Sequence, residues 1–168
     1  WNNTDIPLAI LITFRCYGTW LHGDERGSVD RHNNIFRTPT IPTSNSWEKH
    51  NQEQLKYSPV LLNAKQRRAV EKAFAKLVRN ADGTFTPLIA DEHIHIVVAI
   101  GAKKPSLVLT AFKANATKQM RNDEGWHFEH SPWAEKGSKR NLWNERSIAN
   151  AIDYVLNGQG DDLPDFDY

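Results

Sequence analysis

Three side chains in this sequence have the types and spacing to do chemistry together: His93 and His95, one residue apart, and Tyr154 near the C-terminus. The run Glu92-His93-Ile94-His95-Ile96-Val97-Val98 alternates as a strand does. Successive strand side chains point to opposite faces, so the two imidazoles share one face about 7 Å apart. Ile94, Ile96, Val98 and Ile100 then take the other face, toward a core. Two imidazoles side by side can hold one cation once a third ligand arrives from elsewhere. A His-x-His pair alone is weak evidence, because any polar residue suits an exposed sheet face. Tyr154 sits beside an apolar helical stripe of Ile148, Ala151, Ile152 and Val155. Asn150 and Asn157, four residues before and three after, lie on its polar side. A lone tyrosine in such a place usually packs at a boundary. Beside a divalent cation its phenol can instead ionise and act as a nucleophile.

A second group of residues is suited to nucleic acid. Single strands are held by basic grooves and aromatic platforms. Lys118 and Arg121 are three apart on one expected helix, and the 122–143 stretch interleaves Trp126, His127, Trp133 and Trp143 with Lys136, Lys139 and Arg140. Arg15 and a loop carrying Arg26, Arg31, His32 and Arg37 complete the set, with Trp20 and Trp47 nearby. Any one of these is as well explained by a solvated face or a loop anchor. The expectation rests on the cluster.

Elements must position these groups. Residues 8–16 read as a strand, with Leu8, Ile10, Ile12, Phe14 and Cys16 on a core face and a second face that turns polar toward Arg15. Residues 18–58 show no sustained period and many Gly, Pro and Asn-Asn breaks. Residues 63–77 read as a helix capped by Asn63, with Ala69, Val70, Ala73, Phe74 and Leu77 as its stripe. Two strands follow at 84–90 and 93–100; Pro87 makes the first an edge strand. A helix over 106–121 starts from Ser106 as N-cap, a short strand lies around 141–143, and Ser147 caps a last helix that Gly158 ends near Asn157. Strand, helix, strand, strand, helix, strand is the split βαβ or ferredoxin-like pattern. The expected fold is therefore α+β: one antiparallel sheet, two helices on one face, and the tyrosine-bearing helix over the other.

The length of 168 residues fits one domain over 1–168. Lys+Arg at 21 against Asp+Glu at 20 leaves a net charge of +1, so no global electrostatic case for nucleic acid exists. The charges are uneven. Residues 1–152 hold every base and a surplus of six positive charges, whereas residues 153–168 hold five aspartates and no base. The acidic stretch at about 160–168 reads as a frayed, solvated tail, or as a DNA mimic lying in a basic groove. A single cysteine, Cys16, excludes an internal disulfide framework and fits a reducing compartment. No apolar run reaches the ~18–20 residues of a membrane span, and the first residues lack a secretion-signal layout. A cytoplasmic protein is expected. The sequence lacks an initiator Met, so it is expected to begin a little inside the natural chain.

Glu92-His93-Ile94-His95-Ile96-Val97-Val98, followed by a C-terminal helix bearing Tyr154, resembles the HUH single-strand endonucleases. More narrowly, it is similar to the single-tyrosine transposases of the small insertion-sequence type and their REP-associated relatives. Family-like wording also runs through Leu11-Ile12-Thr13-Phe14-Arg15, Tyr17-Gly18-Thr19-Trp20-Leu21-His22-Gly23-Asp24-Glu25-Arg26-Gly27-Ser28-Val29-Asp30-Arg31, Gly137-Ser138-Lys139-Arg140-Asn141-Leu142-Trp143 and Tyr154-Val155-Leu156-Asn157-Gly158-Gln159-Gly160. The resemblance implies a metal-dependent nickase and strand transferase acting on hairpin-containing single-stranded DNA in transposition or recombination. It implies that His93 and His95 hold Mg²⁺ or Mn²⁺, and that Tyr154 attacks phosphorus to leave a 5′-phosphotyrosine link and a free 3′-OH. Imidazole ligands favour Mn²⁺ over Mg²⁺ and let Zn²⁺ compete. Such transposases carry a Gln four residues after the tyrosine as third metal ligand. Here that place is Gly158, and the third ligand is Gln159, Asn157 or Asn150. Two other readings compete: a relative that binds structured single strands without cutting, and a metal-binding protein of unrelated function. The resemblance implies either a monomer acting in cis or a homodimer exchanging the tyrosine helix.

Overall fold

Alternation along the first strand already divides the molecule in two. In β1, Ala9–Arg15, the side chains of Ile10, Ile12 and Phe14 are buried on one face, while Ala9, Leu11, Thr13 and Arg15 take the other. A computed structural model describes residues 6–25, 42–79 and 85–157 of the chain. It is an α+β protein in which, among the described residues, four strands form one antiparallel sheet. The others are β2, Phe85–Ile89; β3, His93–Val98; and β4, Ser138–Leu142, and their order across the sheet is β2-β3-β1-β4, so β1 pairs with β3 and β4 and β2 with β3 alone. β2 lies at the edge, where the missing N–H of Pro87 breaks no ladder on its outer side.

Two long helices close the Ile10 face. In α2, Ala64–Arg79, the buried apolar positions are Ala69, Val70, Ala73, Phe74 and Val78, with Gln66 buried beside them. Its start is a reciprocal cap: the Gln66 amide donates to Asn63 Oδ1 at 2.9 Å, and the Asn63 amide donates to Gln66 Oε1 at 2.8 Å. α3, Pro105–Asn122, buries Leu109, Phe112, Ala116 and Met120. Its cap is Lys104 and not Ser106, because Pro105 occupies the first turn, where its fixed φ suits a helix and its missing N–H loses nothing. Phe74 bridges the layers edge-on, 6.5 Å from Phe14 and 4.7 Å from Phe112 between ring centroids.

The opposite face is covered by α4, Glu145–Asn157. The Ser147 amide donates to Asn144 Oδ1 at 2.8 Å, so Asn144 is the cap and the expected cap, Ser147, lies in the first turn. Ala151 and Val155 pack with Ala9, Leu11, Val97 and Leu142, and Leu88, Ile148, Ile152 and Tyr154 border that cluster. The cluster occupies only the end of the face that Ala9 and Leu11 line.

The irregular 18–58 segment contains a helix that periodicity misses, α1, Asn45–Glu53. It buries no side chain, so it has no apolar stripe to detect. Polar ties hold it: Asn51 Nδ2 donates to the His22 carbonyl at 3.0 Å, and the Ser44 amide donates to the Gly23 carbonyl at 3.0 Å. Gly23 has φ +100°, and a Cβ there would meet the Ser44 oxygen at 2.5 Å, so glycine is required at this crossing. Among the described residues, no helix is long and apolar enough to cross a membrane.

Candidate active site

The pairing of β1 with β3 sets Thr13 opposite His95 and Arg15 opposite His93. Cross-strand partners share a face, so these four side chains stand on the α4 side of the sheet, at the end its apolar cluster leaves uncovered. The two imidazole centroids are 4.9 Å apart, and the Tyr154 ring lies edge-on to His95 at 5.5 Å. The three residues singled out for chemistry therefore meet, two from one strand and one from the last helix. Arg15 donates to the Trp20 carbonyl and lies 5.7 Å over the Trp20 ring, which in turn meets His93 at 6.2 Å. The Glu92 carboxylate stands 3.8 Å from His93 Nδ1. Arg140, opposite Leu11 on β4, also belongs to this face.

Burial governs the electrostatics of the site. His95 is 4% exposed, and burial, with the neighbouring His93, pushes it down to about 4. It is neutral at pH 7 and offers a lone pair on one ring nitrogen. Thr13 Oγ1 is 2.7 Å from His95 Nδ1. Two tautomers satisfy that bond. If Nδ1–H donates to the threonine oxygen, Nε2 carries the lone pair and can bind a cation; this is the outer support that ligating histidines usually have. Burial also raises the Tyr154 phenol above its usual 10.0. Transfer of that proton to an imidazole of about 4 is uphill by several powers of ten, so His95 is no general base for Tyr154.

The donor set suits an ion that accepts imidazole, with further positions for water or phosphate oxygen. Among the described residues, no third His, Cys, Asp or Glu joins the pair in a metal-sized group. Asn150 is half-buried on α4, one turn before Tyr154. Asn157 is exposed, and its amide donates to Asp153 at 2.8 Å, which directs it along its own helix. Gln159 and Gly158 lie outside the described residues, as do Arg26, Arg31, His32, Arg37 and the acidic tail.

The remaining residues expected to touch DNA divide between two sides. Lys139 pairs with Ile12 and so faces the α3 side, where its charge, after burial, helps push Lys113 down to about 8. Lys118 and Arg121 are exposed on α3 and line an open hollow of about 410 Å³, across the sheet from the histidines. Lys136 is exposed, and its carbonyl accepts from Lys113 Nζ at 3.0 Å, alongside those of Ala134 and Glu135 at 2.8 and 3.1 Å. Three acceptors match the three hydrogens of an ammonium and fix the chain entering β4.

Trp126 and Trp133 require a correction: they are 5% and 4% exposed and belong to the core, so their faces are not platforms for bases. The Trp133 indole N–H donates to Thr117 Oγ1 at 2.9 Å and its ring meets Phe14 at 5.2 Å; the Trp126 N–H donates to the His130 carbonyl at 3.0 Å. Each is a large apolar body with its polar tip satisfied. Sequence reading missed Thr13 as a partner of His95 and Trp20 as a neighbour of His93. The signal for Thr13 was its place on the face of β1 that turns polar toward Arg15. No protein-family model matches the chain, and no curated protein does.

Proposed function

We propose that this protein is a cytoplasmic, metal-dependent single-strand DNA nickase and strand transferase of the HUH single-tyrosine type, acting through Tyr154. The observation that carries this reading is the meeting of His93, His95 and Tyr154 on one face of the sheet. The strand order β2-β3-β1-β4, with α2 and α3 on one face, supports the ferredoxin-like form of the fold. That Tyr154 reaches His95 of its own chain supports action in cis by a monomer.

His93 and His95 would hold Mg²⁺ or Mn²⁺, with an amide oxygen from Asn150 or Gln159 as third protein ligand. When bound, the cation offsets the charge on the non-bridging phosphate oxygens and favours the phenolate over the phenol. Thr13 keeps the His95 ring in place. Arg15, held by Trp20 beside His93, supplies fixed positive charge where a phosphate would sit. Tyr154 gives its phenol proton to solvent as its oxygen forms a bond to phosphorus, and the bond from phosphorus to the 3′ oxygen breaks. That oxygen takes a proton and leaves as a 3′-OH, while the 5′ phosphate stays on the tyrosine. Since a phosphodiester has replaced a phosphodiester, a second 3′-OH can reverse the step without ATP.

The test uses labelled hairpin-containing single strands with Mn²⁺ and looks for a protein–DNA adduct that survives denaturant. Adduct with the native protein and none with Tyr154→Phe is the expected result. His93→Ala or His95→Ala should remove both the adduct and the metal dependence. Strand binding with no adduct under any divalent metal would reduce the protein to a binding module.

A further inference from the structure

Away from the histidine site, three rings form a ladder that the core does not use. Tyr57 and His130 stack with centroids 3.9 Å apart and planes 12° from parallel. Phe128 stacks on His130 at 5.2 Å and 27°. Trp126 presses edge-on against both His130 and Phe128, at 5.3 and 5.0 Å, and Tyr17 meets Tyr57 at 5.9 Å. Even so, Phe128 is 59% exposed and Tyr57 is 38% exposed. Single exposed apolar residues are ordinary. Here the exposed rings are held stacked and aligned before any partner arrives.

The surroundings suit an anion-bearing partner. Arg121 donates to the carbonyls of Phe128 and Glu129 at 3.1 and 3.0 Å. Those bonds fix the backbone beneath the ladder and, being made to neutral acceptors, leave the guanidinium its full charge. Lys56 Nζ lies 5.2 Å over the Tyr57 ring. Lys118 lines the hollow beside Arg121, with Glu129 the acid there. Aromatic faces flanked by cations are how a protein holds unpaired bases and their phosphates without reading sequence. Tyr17, which borders the ladder, follows the end of β1 and packs against the core on the α2–α3 side.

We infer that the Tyr57–His130–Phe128 ladder is a stacking subsite for an unpaired base of single-stranded DNA, with Arg121 and Lys56 taking the adjoining phosphates. This rests on the proposed action on single strands and adds a second holding point for them, beside α3 and away from the histidines. The buried Trp126 and Trp133, expected as platforms, become the anchors of the loop that presents Phe128.

The test measures fluorescence anisotropy of a short labelled oligothymidine with the full chain in EDTA, so that no cleavage intervenes. Phe128→Ala and Tyr57→Ala should each weaken binding about tenfold. Phe128→Leu, which keeps apolar bulk and folding but removes the ring, should lose as much. An abasic strand of equal phosphate count should bind the native protein and Phe128→Ala alike. Variants that bind oligothymidine like the native protein, or full rescue by leucine, would overturn the subsite alone. Failure of the native protein to bind any single strand would overturn the proposed function along with it.

Discussion

The two faces of the sheet are made from the same strands and have opposite fates. On one, Ile10, Ile12, Phe14, Ile94, Ile96 and Val98 are all buried, and α2 and α3 seal them from end to end. On the other, Ala9, Leu11 and Val97 are apolar, while Thr13, Arg15, His93 and His95 are not. α4 covers the apolar half and carries Tyr154 at the border. A face that is apolar throughout yields stability; a face that changes character halfway leaves a walled, partly dry recess where pKa values move. The basic residues obey the same division. Lys139 and Arg140 are neighbours in sequence, yet the period of two sends them to opposite faces.

Removal of one atom on the open face should have the greatest consequence. Tyr154→Phe should reduce covalent adduct with single-stranded DNA to background on a denaturing gel, while its melting temperature stays close to that of the native protein. The sealed face should respond in the reverse sense. Phe74→Ala, which empties the junction between Phe14 and Phe112, should cost about 3–5 kcal/mol in urea unfolding and spare adduct formation per folded molecule.

Acid separates the faces next. His95 falls from 6.5 to about 4 on folding, so between those values the unfolded chain binds the extra proton and the folded one does not. Stability in EDTA should thus be full above pH 6.5 and fall by about 3 kcal/mol on descent to pH 4. His95→Gln should flatten that limb; an unchanged acid limb would mean that the imidazole is not held neutral. The smallest effect sharpens the role of one hydroxyl. Thr13→Val should weaken Mn²⁺ binding by calorimetry about 10- to 100-fold, with Thr13→Ser restoring it. Equal affinity in Thr13→Val would show that the hydroxyl does not orient the ligand.

Much of this was readable from residue order. The strands, the edge position forced by Pro87, the stripes of α2, α3 and α4, and the common direction of His93 and His95 all follow from short-range period and turn chemistry. What escaped was of other kinds. α1 buries no side chain and hence has no stripe. Two caps were misplaced because Pro105 and Asn144 out-compete nearby serines for the helix start. Trp126 and Trp133 lie in a loop-rich, basic stretch, and nothing local distinguishes an indole that plunges into the core from one that faces solvent.

Residue order alone determined which side chains share a strand face or a helix flank, because those relations repeat every two or 3.6 residues along a single element. Only the folded chain decided that Thr13 stands against His95, that α4 brings Tyr154 to the same recess, and that Tyr57 stacks on His130. Strand register and helix docking join segments far apart in the chain, and they are chosen by how well whole apolar faces fit together, a property that no short window of residues contains.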